Sequence, residues 1–287
     1  MREDTPSSTA AAVAFARGVA SLPARSQAPS PDPLAARMLP RRLGRVLDGL
    51  SPLARRTGAV SLALRYGSLG LVDHVALRTA AIDRALGDAC REGVAQVVIL
   101  GAGLDARAWR LSALLGLTIF EVDHPATQRL KRSRVAGLDP RAAEVHFVPV
   151  DFAREDLGAR LGEEGHDPDQ PTFWIWEGVT MYLPVEAMCA TLDVLARRSP
   201  PGSTLAVTYH SEQDRFWLAR IPRLVHLGFE LLGEPLVNVM SSERFRALLG
   251  DAGWDVAADS GPRDWRRRYR YGGPLTIDER LVVAERR

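Results

Sequence analysis

The chain has 287 residues, 46% of them hydrophobic and 25% charged, with a formal net charge of +2. These proportions exclude a disordered or fibrous protein, and the length suits one large domain with room for an accessory segment. The charge balance removes any global electrostatic case for nucleic acid. No apolar run reaches the roughly 18 residues of a membrane helix. Cys90 and Cys189 are the only cysteines, so neither a disulfide framework nor a thiol metal site is expected. Acids in the first residues and Arg17 within the Ala-rich opening argue against an export signal, so a cytoplasmic location is expected.

Residues 1–92 form the first unit. Ala/Leu patterns predict helices over Leu34–Met38, Leu43–Leu50, Ala59–Leu64 and Val72–Ala89, with a proline-rich loop near residues 23–33. Residues 93–287 form the second, in which strands and helices alternate. Strands are predicted at Val94–Leu100, Leu117–Val122, Val145–Val150, Thr172–Trp176 and Thr204–Tyr209. Helices are predicted between them at Asp105–Leu115, Ala126–Ala136 and Val185–Arg198. Such alternation implies an α/β fold with a mostly parallel sheet. An apolar stripe at helical spacing, FWLARIPRLVHLGFELLG (216–233), marks a helical insertion over about 211–235. The end differs: a helix at Ser241–Ala252, then strands at Trp254–Ala258 and Arg280–Ala284 with no helix expected between them. Such strands pair most easily as an antiparallel hairpin, and RDWRRRYRYGG (263–273) becomes its solvated loop or a site for an acidic acceptor. Lys131 is the only lysine, which codon usage in a GC-rich genome accounts for.

The first strand opens into VVILGAGLDARAWRL (97–111). Gly101-x-Gly103-x-x-Ala106 fits a dinucleotide fingerprint, but a strand–GxG–helix unit serves S-adenosylmethionine (SAM) equally well. Three acids, Asp123, Asp151 and Glu177, stand where successive strands run out, at the sheet edge where open α/β folds bind ligands. Asp123 lies 20 residues past Gly103, the spacing at which a carboxylate accepts from ribose hydroxyls. Asp151 suits an adenine amine and Glu177 the cationic amino-acid end of SAM. The terminal strand pair disfavours an NAD(P) oxidoreductase, for which another crossover helix is expected.

Together with FEVDHPATQRLKR (120–132), FVPVDF (147–152), WIWEGVTMYLP (174–184), HVALRTAAID (74–83) and TAAAVAFARG (9–18), the glycine loop resembles the leucine carboxyl methyltransferase family, which includes polyketide O-methyltransferases. The resemblance implies a Rossmann-like class I methyltransferase fold: a seven-stranded sheet, mostly parallel, with an antiparallel last strand. It also implies that SAM binds without a metal, with S-adenosylhomocysteine as product. Arg78 would bind the SAM carboxylate, Gly101 and Gly103 would line the methionine portion, and Asp123 would take the ribose. Asp151 and Phe152 would sit at the adenine, with His124 either near it or in a packing role, and Glu177 near the amino group. A lysine that some members use near the N-terminus has no counterpart, leaving Arg17, Arg37 or Arg65 in its place or no such contact at all.

The acceptor is expected to be a carboxylate or hydroxyl of a small molecule, a secondary metabolite. A protein C-terminal carboxylate is the family alternative, and a non-catalytic SAM-binding protein the other. A carboxylate is ionised at neutral pH and needs no base, whereas a phenol gains from one. His210, ending the fifth strand, is the candidate base, and Tyr182 the residue that orients the acceptor. The N-terminal unit and the insertion are expected to build the acceptor pocket. Neither a nucleic acid nor a membrane partner is expected.

Overall fold

The computed structural model describes residues 7–23, 28–152, 154–211, 237–271, 273 and 277–287. The predicted insertion over about 211–235 lies almost wholly outside them. Seven strands form one sheet: β1 (Gln96–Leu100), β2 (Thr118–Asp123), β3 (Glu144–Pro149), β4 (Thr172–Trp176), β5 (Thr204–His210), β6 (Trp254–Ser260) and β7 (Glu279–Arg286). Their order is β3-β2-β1-β4-β5-β7-β6. The first five pair in parallel, and β7 runs antiparallel to both β5 and β6. This is the mostly parallel sheet with an antiparallel last strand that the sequence predicts.

Every residue of β1 and β4 is buried, which explains their unbroken apolar runs: helices cover both faces. Val97 and Ile99 face one layer with Phe173 and Ile175. Val98 and Leu100 face the other with Trp174 and Trp176. The second layer includes α8 (Leu157–Glu163), α9 (Val185–Arg197) and α10 (Ser242–Asp251), through Leu161, Leu192 and Phe245.

The first layer is built largely from the chain's opening: α1 (Ser8–Ala20), α2 (Ala35–Met38), α3 (Arg41–Thr57), α4 (Ala59–Gly67) and α5 (Leu71–Arg91). The Ser7 hydroxyl starts α1 by accepting from the Ala10 amide at 3.1 Å, satisfying one of the open amides of the first turn. The long α5 buries polar residues as well as apolar ones, Asp73, His74 and Arg78 among them. No helix among the described residues is long and apolar enough to cross a membrane.

Two predicted elements differ. The helix expected over Asp105–Leu115 is a single turn, α6 (Arg107–Arg110), followed by a 3-10 turn at Ser112–Leu114. Extended Leu111 (ψ 115°) separates them. The predicted loop over 263–273 is largely a helix, α11 (Pro262–Tyr269). Pro262 presets the first turn, the Asp264 carboxylate accepts from the Gly261 amide at 3.0 Å, and Trp265 is buried below. Strands β6 and β7 still pair antiparallel, but the connection is helical. The remaining helix of the parallel part, α7 (Pro125–Val135), follows β2.

Candidate active site

Strand β1 ends in Gly101-Ala102-Gly103, and both glycines have positive φ, 66° and 49°. That backbone disfavours a side chain, and space is short as well. A Cβ at Gly101 would stand 2.6 Å from Val179 Cγ2, and one at Gly103 3.1 Å from Ala10 Cβ of α1. Gly101→Ala is therefore expected to cost about 1–3 kcal/mol of folding stability through backbone strain alone. It should also weaken nucleoside binding; thermal unfolding and ligand titration of the one variant check both effects.

Asp123, the last residue of β2, closes this loop. One carboxylate oxygen accepts from the Gly103 amide, and the other from His124 N–H at 2.6 Å. Burial pushes its pKa up against those two amides and Lys131, and the net shift is upward. His124 spends its ring on the backbone: Nδ1 accepts from the Ala126 amide at 3.3 Å and caps α7.

Glu177 follows β4 and meets two arginines. Oε1 accepts from Arg78 Nε and Oε2 from Arg107 Nη1, each at 2.8 Å. Burial acts to raise its pKa, but Arg107 and Arg78 outweigh it and hold the carboxyl below its usual range. Next to it, Gly178 has φ 69° and donates its amide to Thr208 Oγ1 at 2.8 Å. Arg78 reaches across from α5, and its Nη1 also donates to Glu279 Oε2 at 2.5 Å.

The network extends beyond the predicted residues. Arg107 is fully buried and pairs with Asp105 as well as with Asp83, the latter at 2.6 Å. Arg110 joins Asp83 at 2.7 Å. Of the three arginines considered in place of a family lysine, Arg17 reaches the glycine loop, donating to the Leu104 carbonyl at 2.9 Å. Arg37 instead bonds the carbonyls of Arg134 and Ala136, and Arg65 pairs with Asp73. Asp105 and Arg107 stand two residues apart at the end of the glycine motif, and their opposite charges are the signal that could have found them. Glu279 and His74 carried no local signal.

The structure thus brings Arg78, Glu177, Gly101, Gly103 and Asp123 to one end of the sheet. Asp151 and Phe152 lie beside Asp123, through the Val150 amide bonded to the Asp123 carbonyl at 3.0 Å, but outside the arginine network. Asp151 opens a turn, with Arg154 Nε at 3.7 Å from its carboxylate, and Phe152 is 43% exposed. His210 ends β5, and its carbonyl accepts from the Met240 amide at 3.1 Å. Tyr182 ends a 3-10 turn, Thr180–Tyr182, which Thr180 fastens to β5 by donating to the Thr208 carbonyl at 2.6 Å. Among the described residues, no group of three or more His, Cys, Asp or Glu side chains is arranged to hold a metal ion.

The donor set fits SAM: a glycine cradle with no room for Cβ atoms, a carboxylate beyond it, and an arginine and a glutamate for a zwitterionic arm. Family comparison agrees, because the leucine carboxyl methyltransferase model matches residues 10–196. The chain belongs to the leucine carboxyl methyltransferase family. The match spans Arg78, the glycine loop and all three strand-end acids, and stops before His210 and Glu279.

A relative from Mycolicibacterium paratuberculosis is 40% identical over 211 residues, 71% of this chain and 66% of that protein. Its name assigns it provisionally to SAM-dependent methyl transfer. The chain therefore spans just under two thirds of that relative's length. One from Mycobacterium marinum, named in the same way, is 36% identical over 256 residues, 87% of this chain and 82% of that one. Two solved structures share the fold. A DUF574 family protein from Streptomyces avermitilis gives a TM-score of 0.61 at 12% identity, over 96% of this chain and 97% of that one. A protein from Thermobifida fusca, provisionally titled a methyltransferase, gives 0.58 at 17% identity, over 79% and 88%.

Proposed function

We propose that this family member is a SAM-dependent O-methyltransferase acting on a carboxylate or hydroxyl of a small secondary metabolite. The observation that carries the reading is the Arg78–Glu177 pair, set beside the glycine loop that Asp123 closes. A cation and an anion held together there match the two ends of an amino-acid zwitterion, and the acid at the end of β2 matches a ribose.

SAM supplies a methyl group already activated by its sulfonium. The chain's task is then to bind, orient and exclude water. Asp123 accepts from the ribose hydroxyls, Arg78 takes the carboxylate and Glu177 the ammonium. Asp151 and Phe152 border the adenine. The helices within residues 1–92 contribute to the acceptor pocket. Tyr182 orients the acceptor. His210 takes the proton from a hydroxyl acceptor and is dispensable for a carboxylate.

Calorimetric titration with S-adenosylhomocysteine, and separately with NAD⁺ and NADP⁺, tests this reading. Micromolar binding of the first alone is expected, and nicotinamide binding without it overturns the assignment. With an acceptor in hand, His210→Ala is expected to lower kcat by about 100-fold or more on a hydroxyl substrate and to leave a carboxylate substrate nearly unaffected. Near-normal turnover of a hydroxyl acceptor removes His210 as its base.

A further inference from the structure

The topology brings one more residue to the site. Because β7 runs antiparallel between β5 and β6, its first residue lies at the end of the sheet where the parallel strands finish. That residue is Glu279, directly across from His210 in the β5–β7 register. It is 1% exposed. Its Oε2 accepts from Arg78 Nη1 at 2.5 Å and contacts His74 Nε2 at 2.7 Å. His74 and Arg78 are four residues apart on α5, so one face of that helix presents both groups to one oxygen. The other oxygen, Oε1, is buried without a hydrogen-bond partner. Burial acts to raise the carboxyl pKa, but Arg78 and His74 outweigh it and keep Glu279 ionised.

We infer that Glu279 is the positioning residue for Arg78, fixing its guanidinium for the carboxylate of the SAM amino-acid arm; this rests on the SAM reading above. Arg78 is held at two points. Nε goes to Glu177 and Nη1 to Glu279, and neither contact uses Nη2. Two carboxylates, one just past β4 and one on β7, define the plane of a rigid, planar group, whereas either alone leaves it free to rotate about the remaining contact. Nη2 is the nitrogen left for the ligand carboxylate, and fixing the plane of the group fixes where its N–H bonds point. Burial of this charge cluster is costly unless its members stay paired, so the geometry is held before ligand arrives.

The test compares two ligands on the full chain: S-adenosylhomocysteine, and 5′-methylthioadenosine, which lacks the amino-acid arm. Glu279→Gln keeps the shape of the side chain and removes its charge. It is expected to weaken S-adenosylhomocysteine by about tenfold or more, the scale of a misdirected charge-assisted contact, and to leave methylthioadenosine within about twofold. In an Arg78→Met background the same change is expected to have no further effect on S-adenosylhomocysteine. Glu279→Asp keeps the charge but withdraws it by one methylene, and should show the same ligand-selective loss; it carries the test if the glutamine variant does not fold. Equal weakening of both ligands, undiminished S-adenosylhomocysteine affinity, or additivity with Arg78→Met overturns the role of Glu279. A wild-type chain that does not bind S-adenosylhomocysteine overturns instead the reading beneath it.

Discussion

Asp123→Ala is expected to weaken S-adenosylhomocysteine binding by about 100-fold or more while the sheet stays folded. Hydrogen bonds to a charged group contribute about 1.5–3 kcal/mol each. Two ribose hydroxyls bonded to one carboxylate therefore account for at least two factors of ten. The variant also frees the amides of Gly103 and His124, which Asp123 holds in place, so the glycine cradle loosens as the ribose contacts vanish. Asp123→Asn is expected to fall between. Its single acceptor oxygen cannot serve both amides, but one of them stays satisfied. Acid gives the same direction without a substitution. Burial raises the Asp123 pKa, so affinity should decline as pH falls through that value and the carboxyl takes up a proton. Titration of wild type and both variants across pH checks this. An Asp123→Ala variant that binds within threefold of wild type would remove Asp123 from the ribose position.

How much of this was legible in the sequence follows the range of the interactions. β1 and β4 were readable because burial on both faces leaves a nearly unbroken apolar run, and the strand-end acids because each stands where a strand pattern stops. The glycine loop was readable because positive φ and close packing both select glycine. Arg78 came only through family resemblance: on α5 alone, a buried arginine and a solvated one look alike. Glu279 was invisible for a related reason. Its role depends on β7 being threaded between β5 and β6, a pairing of residues about 70 apart in sequence, and strand order is not written in local pattern. The α11 error is of another kind. Pro262 at the start, Asp264 at the third position, and Trp265 and Tyr269 four apart are all helix signals, but a direct hairpin between the two flanking strands makes the short run between them a loop.

The single lysine looks different once its surroundings are known. Lys131 is 1% exposed, its ammonium 2.6 Å from Glu121 Oε2 and 5.6 Å from the centre of the Trp109 ring. Codon usage accounts for arginine at the other basic positions, but not for the exception standing where a compact point charge is enclosed. An arginine fork needs more room and more acceptors than one carboxylate offers. Despite the ammonium, burial pushes Glu121 up to about 7, from an ordinary value of 4.5. A carboxyl with a raised folded pKa contributes stability that is complete below its unfolded value and is lost as pH rises through the folded one. The Glu121 contribution is therefore expected to fall between pH 4.5 and about 7, and Glu121→Gln to abolish that part of the slope. Lys131→Met removes the countercharge and drives the Glu121 pKa higher still. Its cost should reach about 3–5 kcal/mol, the scale for breaking a buried pair, and should be larger at pH 8 than at pH 5.5. Adding Glu121→Leu removes the stranded charge and is expected to restore most of the loss. Denaturant unfolding of the two singles and the double at both pH values decides the matter. Additive losses, equal at both pH values, would mean that Lys131 and Glu121 matter only through packing, and that the lysine is an accident of composition after all.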